Sequence, residues 1–89
     1  MEALLHHTAD KYLSRFNAID RDRINAALDD LEKEPPEGDI RPVSGQPGLF
    51  RTRVGDYRLL WRIKDNHILV THIDPRGQVY KKKNKGNKR

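Results

Sequence analysis

Hydrophobic positions in this 89-residue chain change their period part-way along, dividing it into a helical first half and an extended second half. Ala3–His7 is short and mostly apolar, the pattern of an edge strand. Thr8 has the chemistry of an N-cap, and Asp10 lies where a first helical turn favours negative charge. Tyr12, Leu13 and Phe16 recur at helical spacing, which predicts a short helix over about residues 9–17. Asp20 is a second N-cap candidate, with Ile19 and Ile24 at the two ends of a hydrophobic staple. Ile24, Ala27, Leu28 and Leu31 then form one apolar stripe, while Arg21, Arg23, Asp29, Asp30 and Glu32 largely avoid it. Pro35-Pro36 stops this helix, because proline lacks the amide donor and disfavours helical geometry in the residue before it. Two helices joined by a short connection predict an antiparallel pair.

Residues 35–48 are rich in proline and glycine and read as a surface loop. From Leu49 onward the period becomes two. Phe50, Thr52 and Val54 alternate with Arg51 and Arg53; Tyr57, Leu59, Trp61 and Ile63 alternate with Arg58, Leu60 and Arg62. Gly55-Asp56 between them fits a two-residue hairpin with glycine first, as a type II′ turn requires. Asp65-Asn66 makes the next turn, and His67–Ile73 is a third strand of the meander. The expected class is α+β: a short N-terminal strand and two antiparallel helices packed on a three- to four-stranded antiparallel sheet.

Charge changes this picture by giving the halves opposite signs. Residues 1–39 carry 5 Lys/Arg against 10 Asp/Glu, a balance of −5. Residues 40–80 carry 7 against 3, a balance of +4, and residues 81–89 carry 6 basic groups with no acid. An anionic partner would approach the second half; the competing reading is a solubilising surface with a basic tail. There is no cysteine, which excludes a disulfide framework or a thiolate metal site and fits a reducing cytoplasm. The start lacks the basic and long apolar regions of a signal peptide, and no apolar run approaches the roughly 20 residues of a membrane span. The expected location is cytoplasmic, with no membrane association.

Arg51 and Arg53 project from one face of their strand, and Arg58 lies close to Arg53 if Gly55 and Asp56 form the loop. Three guanidiniums around one hairpin are costly together unless an anion neutralises them, and a phosphodiester matches their planar fork. The alternative is an amphipathic hairpin with its polar face in water. Downstream, Pro75 and Gly77 constrain the backbone around Arg76, and Tyr80 offers a ring either for stacking on an exposed base or for sealing the core edge. Among the histidines, His6 and His7 are adjacent, while His67 and His72 lie in or beside the last strand. None has the i, i+4 helical spacing of a zinc site. His72, near Asp74, is read either as a proton carrier or as a strand histidine paired to local groups.

These residues carry a resemblance. Phe50-Arg-Thr-Arg-Val-Gly-Asp-Tyr-Arg-Leu-Leu-Trp, followed 14 residues after its Trp61 by Pro75-Arg-Gly-Gln-Val-Tyr-Lys, resembles the signature of the RelE/ParE toxin superfamily. The likeness covers most of residues 4–81, and its Pro-Arg-Gly variant is especially similar to archaeal-type RelE. It implies a toxin domain over residues 1–81 with the RelE-like microbial ribonuclease fold. It also implies a ribosome-dependent endoribonuclease of a type II toxin–antitoxin system, which cuts messenger RNA in the ribosomal A site and is held inactive by a cognate antitoxin. The chemistry it implies is attack of a ribose 2′-hydroxyl on the adjacent phosphate, without metal or cofactor.

Carried over position by position, the matched set is Arg51, Arg53, Arg58, Arg76 and Tyr80. The resemblance gives Arg58 the stabilisation of the pentacoordinate transition state and Arg51 and Arg53 the orientation of the RNA backbone. Tyr80 would stack on a base, and Arg76 would stabilise the leaving 5′-oxygen. Two departures stand out. Many relatives have a histidine just before the late arginine, where this chain has Pro75, and the glutamate base of other relatives is unmatched. The offset of the late arginine from the tyrosine also varies in the family. The basic residues Lys81, Lys82, Lys83, Lys85, Lys88 and Arg89 read as attracting ribosomal RNA phosphates, with residues 82–89 a flexible tail. A ParE-like inhibitor of DNA gyrase and a catalytically faded antitoxin-binding member are the alternatives.

Overall fold

The computed structural model describes residues 1–75. Its elements are β1 (Ala3–Leu5), α1 (His7–Leu13), α2 (Ala18–Leu31), β2 (Asp39–Pro42), β3 (Phe50–Val54), β4 (Tyr57–Lys64) and β5 (His67–Pro75). The sheet order is β1-β5-β4-β3-β2, antiparallel throughout except that β1 runs parallel to β5. Two helices on a largely antiparallel sheet is the expected α+β arrangement, with five strands where three or four were read from the pattern.

The added strand is β2, which lies inside the segment read as a loop. Asp39–Pro42 has one apolar side chain, Ile40, so no alternation betrays it. It is an edge strand held by backbone pairing to β3, with Pro42 at its end, where a missing amide is tolerated. Both helix starts also differ from expectation. At α1 the His6 ring accepts from the Thr8 amide at 3.2 Å, so the helix begins before Thr8. At α2 the side chain of Asn17, not Asp20, is the cap, accepting from the Asp20 amide at 2.8 Å. Asp20 sits one turn inside, and Ile19 is 69% exposed, so no staple to Ile24 forms.

The sheet's inner face carries the core. Leu59 and Trp61 of β4 and Ile68, Val70 and Ile73 of β5 are buried against Ala9, Leu13, Ile24 and Leu31 of the helices. Burying side chains of this size is worth about 1.5–3 kcal/mol each. Thr52 is the one buried polar residue among those described, and its hydroxyl accepts from Trp61 Nε1 at 2.8 Å. Phe50 stacks on the same indole with ring centroids 4.8 Å apart. Tyr57 donates to Asp20 at 3.0 Å, which joins the hairpin to the first turn of α2.

Both turns of the meander form where glycine and polar residues placed them. Gly55 has φ +59 in the β3–β4 turn. Asp65 and Asn66 both have positive φ, 51 and 63, as a type I′ turn demands.

Candidate functional site

Alternation makes the outer face of the sheet the complement of the core. Since Thr52, Leu59, Trp61 and Ile73 are buried, Arg51, Arg53, Arg58, Leu60 and Arg62 stand on the other side. Register sorts the outer side chains into rows that cross four strands. One row runs Asp39, Arg53, Arg58, Asp74; the next runs Arg41, Arg51, Leu60, His72. The arginine hairpin expected from spacing is therefore assembled, with Arg53 directly opposite Arg58.

The two-residue loop makes Val54–Tyr57 the closing pair of the hairpin. Arg53–Arg58 is then the close, non-hydrogen-bonded kind of pair, with Cα atoms about 4.5 Å apart as a class. Like charges so placed are destabilising. Partial relief comes from the β2 edge. Arg51 Nη1 donates to the Asp39 carbonyl at 3.4 Å and lies 3.7 Å from its carboxylate, which also sits 3.9 Å from Arg41 Nε. Among the described residues no such partner reaches Arg58. Its Nε is buried and, among the described residues, without a hydrogen-bond acceptor. An unmet buried donor costs about 1–3 kcal/mol, more when charged.

Arg41 and Asp39 were invisible as site residues in the sequence, because only the pairing of β2 brings them beside Arg51. Arg76, Tyr80 and the tail residues Lys81, Lys82, Lys83, Lys85, Lys88 and Arg89 lie outside the described residues. Two tyrosines on the helix side are held neutral. Burial pushes the Tyr57 hydroxyl above its ordinary value, reinforced by its bond to Asp20. Burial, then the nearby Asp74 charge, does the same for Tyr12. Among the described residues no group of three His, Cys, Asp or Glu could hold a metal ion.

A meander with an arginine-bearing outer face narrows the comparison to known proteins. The family model of the ParE toxin of type II toxin–antitoxin systems matches residues 2–80. The chain belongs to this toxin family. Its relatives place it with the RelE-like members of the RelE/ParE superfamily. Toxin RelG of Mycobacterium tuberculosis is 34% identical over 62 residues, 66% of this chain and 70% of that one. Among solved structures, the RelE–RelB complex from Pyrococcus horikoshii matches with TM-score 0.72 and 28% identity, over 86% of this chain and 96% of the other. The RelB–RelE complex from Methanococcus jannaschii matches with TM-score 0.73 and 22% identity, covering 89% and 96%. Isolated RelE of Escherichia coli matches with TM-score 0.70 and 18% identity, covering 94% and 95%. These last two establish the fold of the RelE-like toxins for this chain.

Proposed function

We propose that this RelE-like toxin is a ribosome-dependent endoribonuclease that cleaves messenger RNA in the A site and so arrests translation in the cytoplasm. The observation that carries the reading is the Arg53–Arg58 pair on the outer face beside Arg51, with the Arg58 Nε lacking an acceptor among the described residues. A phosphodiester bound there is oriented by Arg51 and Arg53, while Arg58 faces the charge that grows on phosphorus in the transition state. Preorganised donors of this kind are worth about 3–4 kcal/mol. Arg76 and Tyr80 complete the proposed site, at the leaving 5′-oxygen and on a base. The tail Lys81–Arg89 adds attraction to ribosomal RNA that weakens with salt.

A cognate antitoxin is the second proposed partner. Two of the similar solved structures are complexes of RelE with RelB, and an acidic antitoxin segment would relieve the same guanidinium repulsion that RNA relieves. No described helix is long and apolar enough to cross a membrane.

Primer extension on a defined messenger, in translation reactions with and without ribosomes, tests the activity. Wild-type protein cuts only with ribosomes present, and Arg58→Ala loses about 10²–10³ in rate. Full cleavage by that variant would refute the site. The match to a family model described by ParE supports a second reading, inhibition of DNA gyrase without RNA chemistry. A supercoiling assay separates the two: inhibited gyrase with an intact messenger selects the second.

A further inference from the structure

Every arginine of the proposed site stays protonated in proteins, so none can take the proton from an attacking hydroxyl. The same face holds an imidazole. His72 is in register with Leu60 and exposed, while the adjacent Ile73 is buried on the inner face. Its ring therefore stands on the outer face, in one row with Arg51 and diagonal to Arg58. Diagonal neighbours in a sheet lie about 7–8 Å apart, within reach of long side chains.

The residue before it holds one of the ring nitrogens. Leu60 pairs with His72 but Trp61 pairs with Val70, so Thr71 is the extra residue of a β-bulge. Thr71 Oγ1 donates to the Leu60 carbonyl across the strand at 3.3 Å. In the tautomer with its hydrogen on Nδ1, His72 donates to the same Oγ1, 3.1 Å away. That tautomer leaves the Nε2 lone pair free on the outer face.

We propose that His72 is the general base of the cleavage reaction and Thr71 its positioning residue, an inference that rests on the ribonuclease reading above. Nε2 takes the proton of the ribose 2′-hydroxyl as that oxygen bonds to phosphorus. The bond from phosphorus to the 5′-oxygen breaks, its electron pair leaves on that oxygen, and the oxygen takes a proton from water. The imidazolium returns its proton to the hydroxide so formed. The products are a 2′,3′-cyclic phosphate and a 5′-hydroxyl, with no co-reactant consumed. The charged and titratable groups around the ring are Asp74 on β5, Arg58 and Arg62 on β4, and Arg51 and Arg53 on β3. Past β5, His6 and His7 lie at the β1–α1 junction, and Tyr12 on α1 lies near Asp74.

The test is single-turnover cleavage of a defined messenger on programmed ribosomes, with co-sedimentation of toxin and ribosomes measured at each pH. Wild-type cleavage should rise through about pH 5–8, where an imidazole loses its proton. His72→Gln should cleave about 10²–10⁴-fold more slowly, with that rise abolished and co-sedimentation unchanged. Thr71→Val should slow cleavage less, and Thr71→Ser, which restores the hydroxyl, should recover it. An H72Q protein as fast as wild type, or a wild-type rate flat across this range, overturns the assignment and leaves the ribonuclease reading standing. A wild type that leaves the messenger intact overturns both.

Discussion

The two faces of this one sheet follow opposite rules, although they use alternate residues of the same strands. On the inner face Leu59, Trp61, Ile68 and Val70 are buried, and the one buried polar residue among those described, Thr52, is bonded to Trp61. On the outer face Arg53 and Arg58 are set side by side, and the buried Nε of Arg58 has no acceptor among the described residues. The inner face is satisfied within the chain; the outer face carries a like-charged pair that the described residues leave partly unmet. Neighbours along a strand should therefore separate cleanly, one governing stability and the next governing binding.

Leu59→Ala should show the largest effect on the inner face, a loss of about 2–5 kcal/mol in denaturant unfolding. Cleavage per folded molecule should hardly change, and a matching fall in activity at full folding would break the division between faces. Thr52→Val, which leaves Trp61 Nε1 without its acceptor, should cost about 1–3 kcal/mol, read the same way. Tyr57→Phe removes the bond to Asp20 and should cost about 0.5–1.5 kcal/mol. Because the Tyr57 hydroxyl titrates above its ordinary value of 10.0 in the fold, its contribution is full below that pH and is lost as pH rises through the folded value. The gap between wild type and Y57F should accordingly narrow only in strong alkali. Smallest of all, Arg58→Gln should leave unfolding free energy unchanged or slightly raised, by about 0.2–1 kcal/mol, because it removes a like-charge pair. A marked destabilisation would show that Arg58 belongs to the scaffold.

Much of this division was legible in the residue pattern. The alternation of Phe50, Thr52 and Val54 with Arg51 and Arg53, and the glycine of the β3–β4 turn, already put Arg58 opposite Arg53. Strand β2 was not legible, because an exposed edge strand with one apolar residue owes its existence to its neighbour's backbone. Arg41 and Asp39 were missed for the same reason. The helix starts shifted because His6 and Asn17 reached the free amides, and several residues near each start have suitable side chains. His72 stays ambiguous in the pattern, because alternation alone does not show which strand residues lie beside it.

By itself, the sequence determined which residues alternate, where the chain must turn, and that its second half is basic, since period, glycine and charge are local properties. Only the tertiary structure decided which strands neighbour one another. That set the five-stranded order, the rows that bring Arg41 to Arg51 and Asp74 to Arg58, and the bulge at Thr71 that orients His72. The reason is physical: register and bulges depend on hydrogen bonds between segments distant in the chain, and nothing local encodes an offset of one residue between β4 and β5.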